Sequence, residues 1–302
     1  MDAETRIPVT VIGGYLGAGK TTLVNRLLRQ ADGLRLAVLV NEFGDLPIDA
    51  DLIEGRDDNV INIAGGCVCC SYGSDLMAAL MQMTEMDPLP DHLLIEASGV
   101  ALPDAIARSA RLIQLFTHDG IVVLADGETV RDRGEDIYLA DTIAAQLAAA
   151  DIVLLNKVDL LSSDQREATR EWLAARAKDA QVIDTEEADV PLAVLLGSGL
   201  DRELAHRHAH AAHQAAVFEI DRPVAAEALA GRLADPALDL VRAKGFVTDL
   251  DGRLKALQVV GRRWRIEDAP PETTGPGRLV CIGVGQTLDE NAIAVAIAAE
   301  PG

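Results

Sequence analysis

Residues 14–21, GYLGAGKT, constrain this chain more than any other stretch, because they match GxxxxGK[ST] at every fixed position. The apolar run at 7–12 predicts a buried strand ahead of them, and residues 22–30, TLVNRLLRQ, carry apolar side chains at helical spacing. Strand, glycine loop and helix in that order form a phosphate cradle. Gly14, Gly17 and Gly19 leave room for backbone N–H groups to turn inward, and the helix adds the positive end of its dipole. Ala18 and Thr22 complete the loop, Lys20 is expected to reach the terminal phosphates, and the Thr21 hydroxyl is expected to ligate Mg²⁺.

Apolar runs at 35–41, 60–63, 92–97, 119–125, 151–155 and 181–183 read as further buried strands, interleaved with helical patterns at 74–86, 135–149 and 164–178. This alternation predicts an α/β, P-loop NTPase domain with a mostly parallel, doubly wound sheet. Leu76, Met77, Leu80 and Met83 form a stripe that reads as core packing. Acidic residues just past strand ends lie at the rim where such sheets bind ligands: Glu42 and Asp45 after the second strand, Glu96 after the run at 92–97. Glu96 is expected to hold Mg²⁺ through water, and Gly99 to offer its N–H to a terminal phosphate.

Residues 151–155 deliver Asn156, Lys157, Val158 and Asp159. A carboxylate such as Asp159 can accept the N1 and 2-amino hydrogens of guanine, which adenine does not offer, while Asn156 and the Lys157 stem support the base and its loop. The quartet therefore favours GTP over ATP. A P-loop ATPase or small-molecule kinase is the rival enzyme class.

With 48 acidic against 27 basic side chains the formal charge is −21, a field that argues against nucleic acid and anionic membrane as partners. No apolar stretch reaches membrane-spanning length and the first residues lack the plan of a signal peptide, so the expected location is cytoplasmic. Three of the four cysteines fall at 67–70, a clustering that argues for metal or redox chemistry in a reducing compartment. Four of the six histidines, His206, His208, His210 and His213, crowd a second segment. Either a helix or an extended chain could converge three of them on a transition metal; an Ala-rich solvated linker is the alternative.

Beyond the histidines a strand is expected at 217–220, a helix at 225–233, and a hairpin of 245–250 and 254–260 closed by Asp251 and Gly252 as a type I′ turn. A strand at 278–284 and a helix at 289–299 complete a smaller C-terminal α+β domain. The expected organisation is a nucleotide domain at 1–200, a His-bearing linker at 201–216 and the α+β domain at 217–302.

With these motifs placed, the chain resembles the CobW family of P-loop GTPases, relatives of the GTPases that mature hydrogenase and urease. GYLGAGKTT, VLVNEFGDLPID, GGCVCC, LLIEASG, LLNKVDL and the RAKGF of residues 242–246 carry the resemblance over nearly the whole chain. It implies a metal-dependent GTPase that serves as a metallochaperone for Zn²⁺ or Co²⁺. Its implied metal ligands are Cys67, Cys69 and Cys70 with Glu42, and its partner is a client metalloprotein; a homodimer is left open. Thiolates suit both ions, and Glu42, a water or a client's ligand would complete a tetrahedron. A closed zinc staple, a redox thiol pair, and a metal buffer or sensor with GTP as a structural ligand are the alternatives. The loops after Asn41 and Gly99 are expected to respond to the γ-phosphate, so that GTP tightens the thiolate site and hydrolysis loosens it.

Overall fold

The computed structural model describes residues 6–31, 33–41, 60–65, 74–197, 213–270, 273, 275–284 and 288–299. Contacts divide the chain after residue 199 into two compact units.

The first unit is built on a seven-stranded sheet in the order β3-β2-β4-β1-β5-β6-β7, comprising β1 (Ile7–Gly14), β2 (Leu36–Asn41), β3 (Val60–Gly65), β4 (His92–Glu96), β5 (Phe116–Asp126), β6 (Ile152–Asn156) and β7 (Gln181–Thr185). Every neighbouring pair is parallel. A parallel sheet covered on both faces needs near-continuous apolar strands, and β4 and β6 are buried along their whole length. Helices α2 (Ser74–Met83), α3 (Pro103–Ala110), α5 (Ala140–Ala149) and α6 (Ser163–Arg176) contribute Leu80, Ile106, Leu147 and Leu173 to one apolar cluster with the strands. Helix α1 (Lys20–Gln30) packs on β1 and β4 through Leu23, Val24 and Leu27, which lie outside that cluster. The Leu76–Met83 stripe is core as expected, except that Met77 is half-buried and Ala79 turns inward.

Parallel pairing carries all seven strand ends to one edge. Gly14, Asn41, Gly65, Glu96, Asp126, Asn156 and Thr185 close their strands there. The register sets Asn41 beside Gly65, Val40 and Ile12 on either side of Glu96, and Asn156 between Asp126 and Thr185.

Local chemistry moved several boundaries. The helix expected at 135–149 is two, α4 (Val130–Glu135) and α5, because Asp136 leaves the helix and its carboxylate accepts the Tyr138 N–H at 2.8 Å. Strand β5 begins at Phe116, and a register shift against β1 lodges Asp119 as an extra residue between His118 and Gly120. The unassigned 184–200 segment contains a short buried helix, α7 (Leu192–Leu195).

In the second unit a five-stranded antiparallel sheet runs β11-β10-β9-β12-β8, from β8 (His213–Ile220), β9 (Leu240–Thr248), β10 (Leu254–Val260), β11 (Arg263–Asp268) and β12 (Gly277–Val284). Helices α8 (Ala226–Leu233) and α9 (Glu290–Ala298) cover one face with Leu229, Leu233, Ile293 and Ile297. Strand β8 starts at His213, ahead of the expected residue 217, because β12 runs on to Val284 and pairs that residue with His213. The hairpin is not type I′. Only Gly252 has positive φ (82°), and Gly252 N–H bonds to Asp249 O at 2.9 Å, so a type I turn followed by a left-handed glycine closes it. Cys281 is fully buried in this core, and burial pushes its thiol up to about 12. Among the described residues no helix is long and apolar enough to cross a membrane.

Candidate nucleotide site

The glycine loop turns sharply between β1 and α1, with φ of 127° at Gly14, 78° at Gly17 and 106° at Gly19. Two of these positions also exclude a side chain. A Cβ on Gly14 would lie 2.4 Å from Leu124 O and one on Gly19 2.6 Å from Asn156 Nδ2. Lys20 is buried at the loop's end, and its Nζ donates to Tyr15 O at 3.3 Å, curled back over the loop. Thr21 Oγ1 donates to Glu96 Oε1 at 2.9 Å, and Glu96 is 2% exposed. The Ser98 hydroxyl, two residues on, is buried and has no hydrogen-bond partner among the described residues. A hydroxyl, a carboxylate and a buried polar atom at a helix N-terminus are hard oxygen donors, a set that fits Mg²⁺ beside phosphate.

Gly99 sits directly under the loop, where an added Cβ would meet Leu16 at 2.5 Å. Its carbonyl accepts from Gln146 Nε2 at 3.2 Å, and the same amide reaches Ala101 O at 2.9 Å. On the other side of the loop Arg133 Nη1 donates to Leu16 O at 2.8 Å, and its guanidinium lies 4.9 Å from the Tyr15 ring centroid. A small pocket, with room for little more than a water molecule, is lined by Tyr15, Ala18, Asp126, Thr129, Arg133 and Gln146.

Asn156 is the hub of the edge. Its Nδ2 donates to Ala18 O at 2.9 Å, and its Oδ1 accepts from Thr185 Oγ1 at 3.1 Å and from Ala188 N at 2.8 Å. One buried amide thus joins the phosphate loop to the loop after β7. Lys157 adopts a left-handed φ of 63°, and its ammonium pairs with Asp126 at 2.7 Å. Asp159 lies exposed in the 3₁₀ turn Val158–Leu160 that follows. The structure therefore brings Gly14, Gly17, Ala18, Gly19, Lys20, Thr21, Thr22, Glu96, Gly99, Asn156, Lys157 and Asp159 to one edge of the sheet. Cys67, Cys69, Cys70, Glu42, His206, His208 and His210 lie outside the described residues.

Four participants were missed. Asp126 stands at a strand end, the position that singled out Glu96, so the same rule reaches it. Arg26, Arg133 and Gln146 reach the site by side-chain bonds across more than 40 residues of sequence, which no local pattern carries.

The model of the CobW/HypB/UreG nucleotide-binding domain matches residues 8–184, and that of the cobalamin synthesis protein CobW C-terminal domain matches 213–299. A leucine carboxyl methyltransferase model matches 121–255, a span that begins inside β5, ends inside β10 and crosses the boundary between the two units. The zinc chaperone CobW of Sinorhizobium sp is 32% identical over 98% of both chains, and the zinc chaperone CobW of Pseudomonas aeruginosa 30% identical over 97% of this chain and 91% of its own. Among solved structures, the Zn(II)-bound YjiA GTPase from E. coli is similar at 24% identity, covering 99% of this chain and 100% of that one with a TM-score of 0.49.

Proposed function

This chain belongs to the CobW family of P-loop GTPases, and we propose that it couples GTP binding and hydrolysis to the transfer of zinc to a client metalloprotein in the cytoplasm. The observation that carries the nucleotide half is the Asn156 hub, which ties the phosphate loop to the loop after β7 three residues ahead of Asp159. In this reading Lys20 swings from Tyr15 O to the terminal phosphates, and backbone N–H groups of residues 17–22 hold the phosphate oxygens. Asp159 takes the guanine N1–H and 2-amino hydrogens, and Lys157, locked by Asp126, flanks the base. Thr21 and Glu96 would hold Mg²⁺, which when bound neutralises charge on the β- and γ-phosphates. Gly99 would offer its N–H to the γ-phosphate, with Gln146 and Leu16 setting the resting position of its loop.

The cargo half rests on Cys67, Cys69, Cys70 and Glu42 as ligands, with cobalt as the competing ion. Two facts support it. Neighbouring strands β2 and β3 end side by side, Asn41 against Gly65, and these two residues are the first of NEFG and of GGCVCC in the sequence. The relatives similar over nearly their whole length are named zinc chaperones. In the same reading residues 1–200 carry the nucleotide chemistry and 217–302 form the second domain, joined by a His-bearing linker.

Phosphate release from GTP and from ATP, with Mg²⁺ and with or without Zn²⁺, tests the nucleotide assignment. Turnover of GTP, suppressed in Asp159→Asn and transferred there to xanthosine triphosphate, is expected. Equal use of ATP would overturn it.

A further inference from the structure

Residues 187–189 hold a backbone that their own side chains disfavour. Glu187 and Ala188 both have positive φ, 49° and 56°, a region costly for any residue with a Cβ. The turn's own Asp189 N–H to Glu186 O bond, 2.9 Å, closes it, and bonds from outside the loop add to that. Asn156 Oδ1 supplies one, to the Ala188 N–H. Arg26, on α1 six residues after the P-loop lysine, supplies three: Nε to Glu187 O at 2.8 Å, Nη2 to Glu187 Oε2 at 2.9 Å and Nη1 to Asp189 Oδ1 at 3.1 Å. One turn further along α1, Gln30 donates to Val190 O at 3.2 Å and accepts from Leu192 N at 2.7 Å. A closed circuit results, running from the phosphate loop through Asn156 to Ala188 and back through Arg26 to α1.

The loop's place gives the circuit a purpose. If Asp159 reads the base beyond the end of β6, the next wall along the edge is the segment that follows its neighbour β7, which is residues 186–189. Guanine presents an acceptor at its 6-position where adenine presents an amino donor; the Ala188 and Asp189 N–H groups are spent on Asn156 Oδ1 and Glu186 O, so the Glu187 N–H is the donor of this turn that could admit one base and reject the other. The carboxylates of Glu187 and Asp189 are largely exposed, 80% and 57%, and pair weakly with the guanidinium; the bond to the Glu187 carbonyl fixes the backbone itself.

We propose that Arg26 is a positioning residue for base selection: it holds the left-handed turn at 187–189 as the wall that tells guanine from adenine. The proposal rests on the guanine reading above and extends it to a residue that touches neither base nor phosphate.

The test is the affinity of the full chain for ribose-labelled fluorescent GDP, with GDP and ADP as competitors, in the native protein, Arg26→Ala, Arg26→Lys and Asp159→Asn. Arg26→Ala is expected to weaken GDP about tenfold while ADP stays within about twofold, so that the GDP/ADP preference falls. Arg26→Lys, which keeps the charge but cannot fork, should fall between. An unchanged melting temperature establishes that the variant is folded. Parallel weakening of GDP and ADP would overturn the proposal, since Arg26 would then serve the phosphate loop alone; so would an unchanged preference. A native chain with no preference for GDP, or one indifferent to Asp159→Asn, would overturn the guanine reading itself and the proposal with it.

Discussion

Thr21 donates its hydroxyl to Glu96 at 2.9 Å, joining the first turn of α1 to the end of β4. Both are oxygen donors at the rim of the sheet, and each orients the other before any ion arrives. If this pair holds Mg²⁺, replacing the carboxylate by its neutral isostere weakens the ion and not the nucleotide. Glu96→Gln is expected to lower Mg²⁺-dependent GTP turnover about 10–100-fold, the range typical of groups that orient metal ligands. Phosphate release across a Mg²⁺ titration checks this; a midpoint and plateau equal to the native protein's would remove Glu96 from the site.

A second buried cluster lies away from the strand ends that form the site. Asp119 Oδ2 accepts from Thr10 Oγ1 at 3.1 Å and from Gly197 N at 3.0 Å, while Thr10 Oγ1 also lies 2.9 Å from His92 Nε2. Asp119→Ala takes the acceptor from two buried donors, at about 1–3 kcal/mol for each buried group left unsatisfied. A domain of this size loses about 2–4 °C of melting temperature per kcal/mol. Thermal unfolding should show a drop of several degrees, and Thr10→Val, which removes the donor and keeps the shape, a smaller one. A melting temperature unchanged in Asp119→Ala would mean the cluster contributes nothing.

Most of the nucleotide site was legible because its determinants are local. A glycine spacing sets the loop, and apolar runs set the strands whose ends place Glu96 and Asn156. What stayed hidden depends on distant side chains. The Asn156 amide was expected to support the base, but its bonds to Ala18 and Ala188 span 138 and 32 residues. Helix α3 escaped notice because its length, Pro103–Ala110, is short and its sequence small-residue rich, although Pro at its first position marks the start. Strand β11 was missed because four of its six residues, in RWRIED, are charged, which suits an edge strand and hides the alternation that identifies an inner one. The expected type I′ turn failed because the strand pairing closes through Asp249 and Arg253, one residue wider than a two-residue loop allows.

Cys281 gives the second unit a pH dependence. Its thiol is pushed to about 12 in the folded core against 9.0 for a free thiol. Between those values the unfolded chain has lost a proton that the folded chain keeps, so stability falls as pH rises from about 9 towards 12, by at most about 1.4 kcal/mol per pH unit. Below 9 the thiol is neutral in both states and contributes no slope. Urea unfolding of the native chain and of Cys281→Ala at several pH values isolates the effect: the stability difference between them should shrink above pH 9, and a constant difference would contradict the burial argument.

In the proposed cycle, nucleotide state sets zinc affinity at Cys67, Cys69 and Cys70. The direct measurement is Zn²⁺ and Co²⁺ affinity by competition with a chelating dye, in Mg²⁺ with either GDP or a non-hydrolysable GTP analogue. The native chain is compared with the variant in which all three cysteines are alanine. Zn²⁺ binding is expected to be tighter with the GTP analogue, by about 5- to 150-fold as coupling between sites usually gives, and that difference is expected to be lost in the variant. Equal affinity in the two nucleotide states would contradict it, leaving a GTPase whose cysteine cluster is structural or redox-active.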